Sequence, residues 1–253
     1  MRSFAASAVA LAILAGPIAA RPSSVPTIAT AVAASGRSAD NVKLDEGRRP
    51  AQVLRFLGLR PGMQVLDLFG GNRYWAEIMA PAVGSKGSVT VWEPKQFFKP
   101  DAEAAFDAFI AKTPNVSIVS TPFEAPTLPK NRFDFVILND NYHDTYWQSD
   151  KYGIPKMDPA AFLKVVHDSM KPGGVIGVVD HVANPNAETR ATVDKLHRID
   201  PNVVKADFKR AGFVLVGSSD ILRNTTDDHS ILSTDARIRG HTDRFIFKFK
   251  KPA

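Results

Sequence analysis

The chain has 253 residues, 44% hydrophobic and 23% charged, enough for one large domain with a full core and against wholesale disorder. It contains 0 cysteines, which excludes disulfide frameworks, thiolate zinc sites, iron–sulfur clusters and cysteine nucleophiles together. The net charge of +6 is scattered, without a run of five or more like charges, so it gives no argument for nucleic acid as a partner.

Residues 1–20 read as a secretory signal peptide. Arg2 precedes an apolar stretch from Phe4 to Leu14, then come the helix breakers Gly16 and Pro17 and the small residues Ala19 and Ala20. The stretch is too short for a membrane span, and no later segment is long and apolar enough for one. The expectation is cleavage after Ala20 and a soluble periplasmic or secreted protein. Residues 21–38 read as a flexible leader, and residues 39–253 as the folded domain.

From about Asp40 strands and helices alternate. Pro50 opens a helix carrying Val53, Leu54 and Leu57 on one face. Gln64–Phe69 is a buried strand, followed by a short helix from Tyr74 to Ala80 that ends near Pro81. Ser88–Glu93 is the second strand, and Asp101–Lys112 a helix with Phe106, Phe109 and Ile110 at helical spacing. Val116–Val119 and Phe133–Leu138 are the third and fourth strands. Asp158 and Pro159 start a helix running to about Met170, which Lys171, Pro172, Gly173 and Gly174 end. Val175–Val179, almost wholly apolar, is the fifth strand, as a sheet covered on both faces requires. Asp200 and Pro201 start a further helix, capped by Gly212. Phe213–Val216 and Arg244–Phe249 are the last strands. This alternation predicts a doubly wound α/β sheet. Residues 223–243 are polar and offer no strong crossover helix, so the last strand is expected to run antiparallel. The long excursion reads equally as a mobile surface loop or a lid.

Val65-Leu-Asp67-Leu-Phe-Gly70-Gly71, the acid Glu93 ending the next strand, Phe133–Leu138 and Lys171-Pro-Gly-Gly174 follow one another in an order that resembles the class I S-adenosylmethionine-dependent methyltransferases. The resemblance covers about Asp40 to Pro252. Within that superfamily, Asp45–Leu54, Asn141–Asp144, Leu196–Pro201 and Arg239–Phe245 look like the exported group labelled predicted methyltransferases. It implies a seven-stranded, Rossmann-like sheet in the order 3-2-1-4-5-7-6, with an antiparallel seventh strand. It also implies S-adenosylmethionine as cofactor and a small-molecule methyl acceptor, held or shaped by Asp67, Gly70, Gly71, Asn72, Glu93, Glu124, Asn139 and Asp140.

Several of these roles have a physical reason. Glycines let the backbone approach a ligand closely, as at Gly70 and Gly71. The following helix presents free N–H groups to a carboxylate. Glu93, about twenty residues past the loop, can hold both ribose hydroxyls. In the family, the Asp67 position braces the loop and the Glu124-Ala125 position lies beside the adenine amine. The family's three alternating glycine places hold Phe69, Gly71 and Arg73. Arg73 and Tyr74 would therefore put bulk and charge beside the methionine tail, either pairing with its carboxylate or blocking it. A nicotinamide-binding Rossmann protein would share the acid, but has no reason for the antiparallel final hairpin.

In open α/β sheets ligands sit beyond the carboxyl ends of the strands. There the chain places Asn139, Asp140, Asn141, Tyr142, His143 and Asp144, and also Asp180 and His181. His143 reads as a general base with a pKa near 6.5, oriented by Asp144 and His181. Tyr142 is placed to wall the ligand, and His197 to reach the same rim. A second reading makes Asp140, Asp144 and His181 metal ligands, but their spacing matches no known metal signature, so no metal is expected. Two functions follow: an exported methyltransferase, or a non-catalytic exported module that keeps the fold and holds another ligand.

Overall fold

The computed structural model describes residues 25–186 and 188–253. The signal-peptide segment lies outside them. No helix among the described residues is long and apolar enough to cross a membrane.

Seven strands form one sheet: β1 (Gln64–Leu68), β2 (Ser88–Pro94), β3 (Val116–Thr121), β4 (Phe133–Asn139), β5 (Met170–His181), β6 (Val214–Ser219) and β7 (Arg244–Lys250). Their order is β3-β2-β1-β4-β5-β7-β6. The first five pair in parallel, whereas β7 pairs antiparallel with both β5 and β6. This is the expected doubly wound sheet with its reversed seventh strand.

The central strands are apolar because both faces are covered. Leu66, Leu68, Val136 and Leu138 face one core with Phe162 and Phe208, while Val65, Phe135 and Ile137 face the other with Leu54, Leu57 and Ile78. Nine α-helical segments occur among the described residues: α1 (Ile28–Val32), α2 (Ala39–Val42), α3 (Asp45–Arg48), α4 (Pro50–Leu57), α5 (Tyr74–Val83), α6 (Pro100–Ile110), α7 (Pro159–Ser169), α8 (Thr189–Leu196) and α9 (Pro201–Arg210). Asp158 and Asp200 accept the N–H groups of Ala160 and Asn202 at 2.9 and 2.8 Å, so both expected aspartate caps form.

Four expectations need correction. From residue 25 the leader is structured: α1 buries Ala31, and Arg37 forms two hydrogen bonds with Asp45 at 2.6 and 2.8 Å. That partner lies in α3, beyond any local pattern. α5 runs through Pro81 to Val83 because the proline falls in its last turn, where Asn115 takes up the Ala80 and Gly84 carbonyls. Residues 170–174 belong to β5, which begins beside Phe133 and carries a register irregularity before Phe135. α8 gave no signal, since Val193 is its one buried residue.

The excursion 223–243 is tied to the body of the fold by a buried ion pair and a buried hydrogen bond. Arg198 is fully buried and bonds Asp227 at 2.8 Å, Asp227 accepts the Asp243 N–H at 2.7 Å, and Asp243 accepts Arg223 at 2.7 Å. The segment is thereby fixed as a wall across the carboxyl ends of the strands.

Candidate active site

β1 is flanked by β2 on one side and β4 on the other, so a crevice opens where their chains diverge. A cavity of about 620 Å³ lies there. Its walls include Arg48 from α3, Phe69 and Asn72 after β1, Glu93 from β2, Asp140 and Asn141 after β4, His181 ending β5, and Ser233, Thr234 and Arg239–His241 from the excursion.

The loop after β1 is built around two carboxylates. Glu93 accepts the Gly71 N–H at 2.9 Å. A Cβ at Gly71 would lie 2.6 Å from the Glu93 carboxyl carbon, and one at Gly70 would lie 2.4 Å from an Asp67 oxygen. Glycine is required at both places because a carboxylate occupies the space. Burial pushes Glu93 up to about 7, against the Gly71 N–H, and the Asp144 charge adds to the rise. Burial, reinforced by Glu93, also pushes Asp67 well above its ordinary range. Asp67 lies beneath the loop, off the cavity wall, with Oδ2 unpartnered among the described residues.

Two non-glycine residues of this loop adopt glycine-like backbone. Phe69 and Arg73 have φ of 59° and 64°, in the left-handed region. The Phe69 ring packs edge-on against Trp92 at 4.9 Å and lies near Phe97, Phe123 and Phe162. That packing offsets a backbone cost of order 1–3 kcal/mol. Arg73 turns towards Glu77, and Tyr74 is buried with its hydroxyl donating to Asp45 at 2.8 Å. Neither lines the cavity.

The rim after β4 and β5 gathers the expected polar residues in two layers. In the layer facing the cavity, Asp140 stands at φ 57°, accepts Asn139 Nδ2 at 2.9 Å, and lies 3.6 Å from Arg244 and 4.0 Å from His181. Burial acts to raise Asp140, but His181, Arg244 and Arg48 outweigh it and hold it below the usual carboxylate range. Its Oδ1, like Asn139 Oδ1, is buried without a hydrogen-bond partner among the described residues. His181 meets Thr242 Oγ1 at 2.7 Å, and burial lowers its pKa to about 4, so the ring is neutral at neutral pH.

The second layer lies behind that wall. His143 is 4% exposed, and its Nδ1 meets Asp180 at 2.7 Å. Burial would lower it, but the Asp180 and Asp144 carboxylates outweigh burial and raise it to about 9. This corrects the expectation of a general base titrating near 6.5: the ring is buried, off the cavity wall and held protonated by its neighbours. Asp144 accepts Asn141 Nδ2 at 2.9 Å, and His197 does reach the rim, 3.6 Å from Asp144.

Of the expected ligand contacts, Asn72, Glu93 and Asp140 are on the cavity wall, whereas Asp67, Gly70, Gly71, Glu124, Asn139 and Tyr142 are not. Glu124 is exposed and bonds Gln96 at 3.0 Å. Tyr142 is a core residue whose hydroxyl donates to Asp207 at 2.8 Å. Arg48, Arg244 and Thr242 were given no role from sequence. Their placement depends on two distant segments meeting: Arg244 donates to the Gly47 carbonyl at 2.6 Å.

No family model matches the chain. A ubiquinone/menaquinone biosynthesis C-methyltransferase, UbiE, from Shewanella sp. (strain ANA-3) is 28% identical over 193 residues. The match takes in 76% of this chain, which spans 65% of the length of that curated relative. Among solved structures, a SAM dependent methyltransferase from Aquifex aeolicus superposes with a TM-score of 0.57 at 18% identity, covering 84% of this chain and 97% of the other. An S-adenosylmethionine dependent methyltransferase from Mesorhizobium loti gives 0.55 at 13% identity, covering 79% and 96%. Identities this low establish the shared fold.

Proposed function

We propose that the chain binds S-adenosylmethionine in the cavity at the ends of β1, β2 and β4 and methylates a small-molecule acceptor, a reading supported by the fold it shares with S-adenosylmethionine-dependent methyltransferases and by its 28% identity over 193 residues to a C-methyltransferase. The observation that carries this reading is Glu93: a buried carboxylate on the cavity wall, locked to the Gly71 N–H where a Cβ would collide.

The residues present fit the cofactor. Glu93 is placed to accept the ribose hydroxyls. Arg48 supplies positive charge for the amino-acid carboxylate, and Asn72 and the Asp140 carboxylate supply acceptors for its ammonium. Bound there, S-adenosylmethionine supplies an electrophilic methyl group. The chain's own task is to orient the acceptor, exclude water and receive a proton. His181, neutral and on the cavity wall, is placed to take that proton, and Thr242 holds its other ring edge. The excursion, fixed through Asp227 and Asp243, supplies the cover that keeps water out.

Calorimetric titration of the wild type with S-adenosylmethionine and S-adenosylhomocysteine should show binding. Glu93→Ala should weaken it by about 1–3 kcal/mol. Gly71→Ala should weaken it too, because the added Cβ displaces the carboxylate. Folded variants with unchanged affinity would move the site elsewhere. A wild type that binds neither ligand would favour the non-catalytic module.

Export is a second part of the proposal and rests on Met1–Ala20 alone. N-terminal sequencing of protein recovered outside the cytoplasm should begin near Arg21. Recovery of an intact Met1 there would overturn it.

A further inference from the structure

Behind the cavity wall, two imidazole nitrogens converge on one carboxylate oxygen. His143 Nε2 stands 3.4 Å and His197 Nδ1 3.6 Å from Asp144 Oδ1, and the three atoms all lie within 4.8 Å of one another. These separations are longer than a formed hydrogen bond. The two distances to the Asp144 oxygen are close to the ligand–ligand edge of about 3.3–3.4 Å that a tetrahedral ion with bonds of about 2.0–2.1 Å requires. We propose that His143, Asp144 and His197 form a binding site for one divalent transition-metal ion of the zinc type.

Three further features fit an ion. The remote nitrogen of His143 is held by Asp180 at 2.7 Å, and the second Asp180 oxygen accepts the backbone N–H of His143 at 2.8 Å. A carboxylate behind an imidazole fixes its tautomer and aims the other nitrogen at a metal. Asp180 is itself fully buried, so its position is set. His197 is held at φ 45°, a conformation that costs energy for a non-glycine residue, and its ring is braced edge-on against Trp147 at 5.0 Å. The charges also balance once the ion displaces the proton that His143 holds between Asp180 and Asp144: two carboxylates and two imidazoles then match a doubly charged cation. The donor set, two imidazoles and one carboxylate, suits zinc and its neighbours and leaves a coordination position for an outside ligand.

The arrangement was hidden in the sequence because His197 lies 53 positions beyond Asp144 and follows α8, which had no clear signal. The metal reading considered there grouped Asp140, Asp144 and His181. The structure separates these, with Asp140 and His181 on the cavity side and Asp144 behind.

The test needs neither cofactor nor acceptor, so its outcome is independent of the methyltransferase reading. Untagged full-length mature protein, stripped with chelator, is titrated with zinc by calorimetry and with cobalt(II) by visible absorption. One equivalent of each should bind, and cobalt should show the intense bands of a tetrahedral nitrogen–oxygen site. His197→Ala and Asp144→Asn should each abolish stoichiometric uptake. Asp180→Asn should weaken it roughly 10- to 100-fold while keeping the stoichiometry. Circular dichroism checks that each variant is folded. A folded wild type that takes up no stoichiometric metal overturns the site, as does full uptake by both ligand variants. Should a variant fail to fold, the cobalt spectrum of the wild type still decides.

Discussion

Arg198→Ala is expected to lower stability by about 3–5 kcal/mol, the usual consequence of removing one partner of a buried ion pair. The Arg198 and Asp227 side chains are both 0% exposed, so no water replaces the lost partner. Arg198 also donates to the Val182 and Ile231 carbonyls at 3.2 and 2.9 Å, and Asp227 accepts the N–H groups of Asp243 and His229 at 2.7 and 3.0 Å. The pair therefore fastens the excursion to β5 and to the start of β7. Urea denaturation should show the loss, and limited proteolysis should find new cuts between residues 223 and 243. Combining Arg198→Met with Asp227→Leu should recover part of the stability, because it removes the stranded charge. A single-variant loss below about 1 kcal/mol would mean that the excursion is held by other contacts.

Glu93→Gln is expected to move stability the other way. Glu93 titrates at about 7 in the folded protein, against an ordinary value of 4.5, chiefly because it is buried. The folded state thus holds a proton that the unfolded chain releases, so stability falls as pH rises through that window. At about 1.36 kcal/mol per unit the accumulated loss is about 3 kcal/mol by pH 8. The glutamine variant escapes it, and its amide oxygen can still accept the Gly71 N–H. Denaturation at pH 8 should show the variant more stable by up to that amount, with the difference shrinking towards pH 4. The same change should weaken nucleoside binding, because an amide offers one acceptor oxygen where the carboxylate offers two. Equal stabilities at pH 8 would show that Glu93 is not held in its neutral form by burial.

The succession of strands and helices, the doubly wound architecture and the antiparallel seventh strand were legible from residues alone, whereas the spatial order of the strands came from the resemblance to the class I methyltransferases. Apolar runs such as Val65–Leu68 and Val175–Val179, the aspartate–proline helix starts at 158 and 200, and the lack of a crossover helix after β6 are local signals. The fold is determined largely by their succession. Glu93 and the two glycines were legible for the same reason, since strand ends and loop positions follow from chain order. What chain order could not supply was depth. His143 and His181 both follow strands at one rim, yet one lies buried among carboxylates behind the wall while the other faces the cavity. The bond from Arg244 to the Gly47 carbonyl, the partner of Arg198 and the nearness of His197 to Asp144 join segments that sequence periodicity does not relate. Hydrophobic patterning acts over a few residues and sets which elements form. The protonation of a histidine depends on the charges and solvent within a few ångströms, and those are set only when distant segments pack.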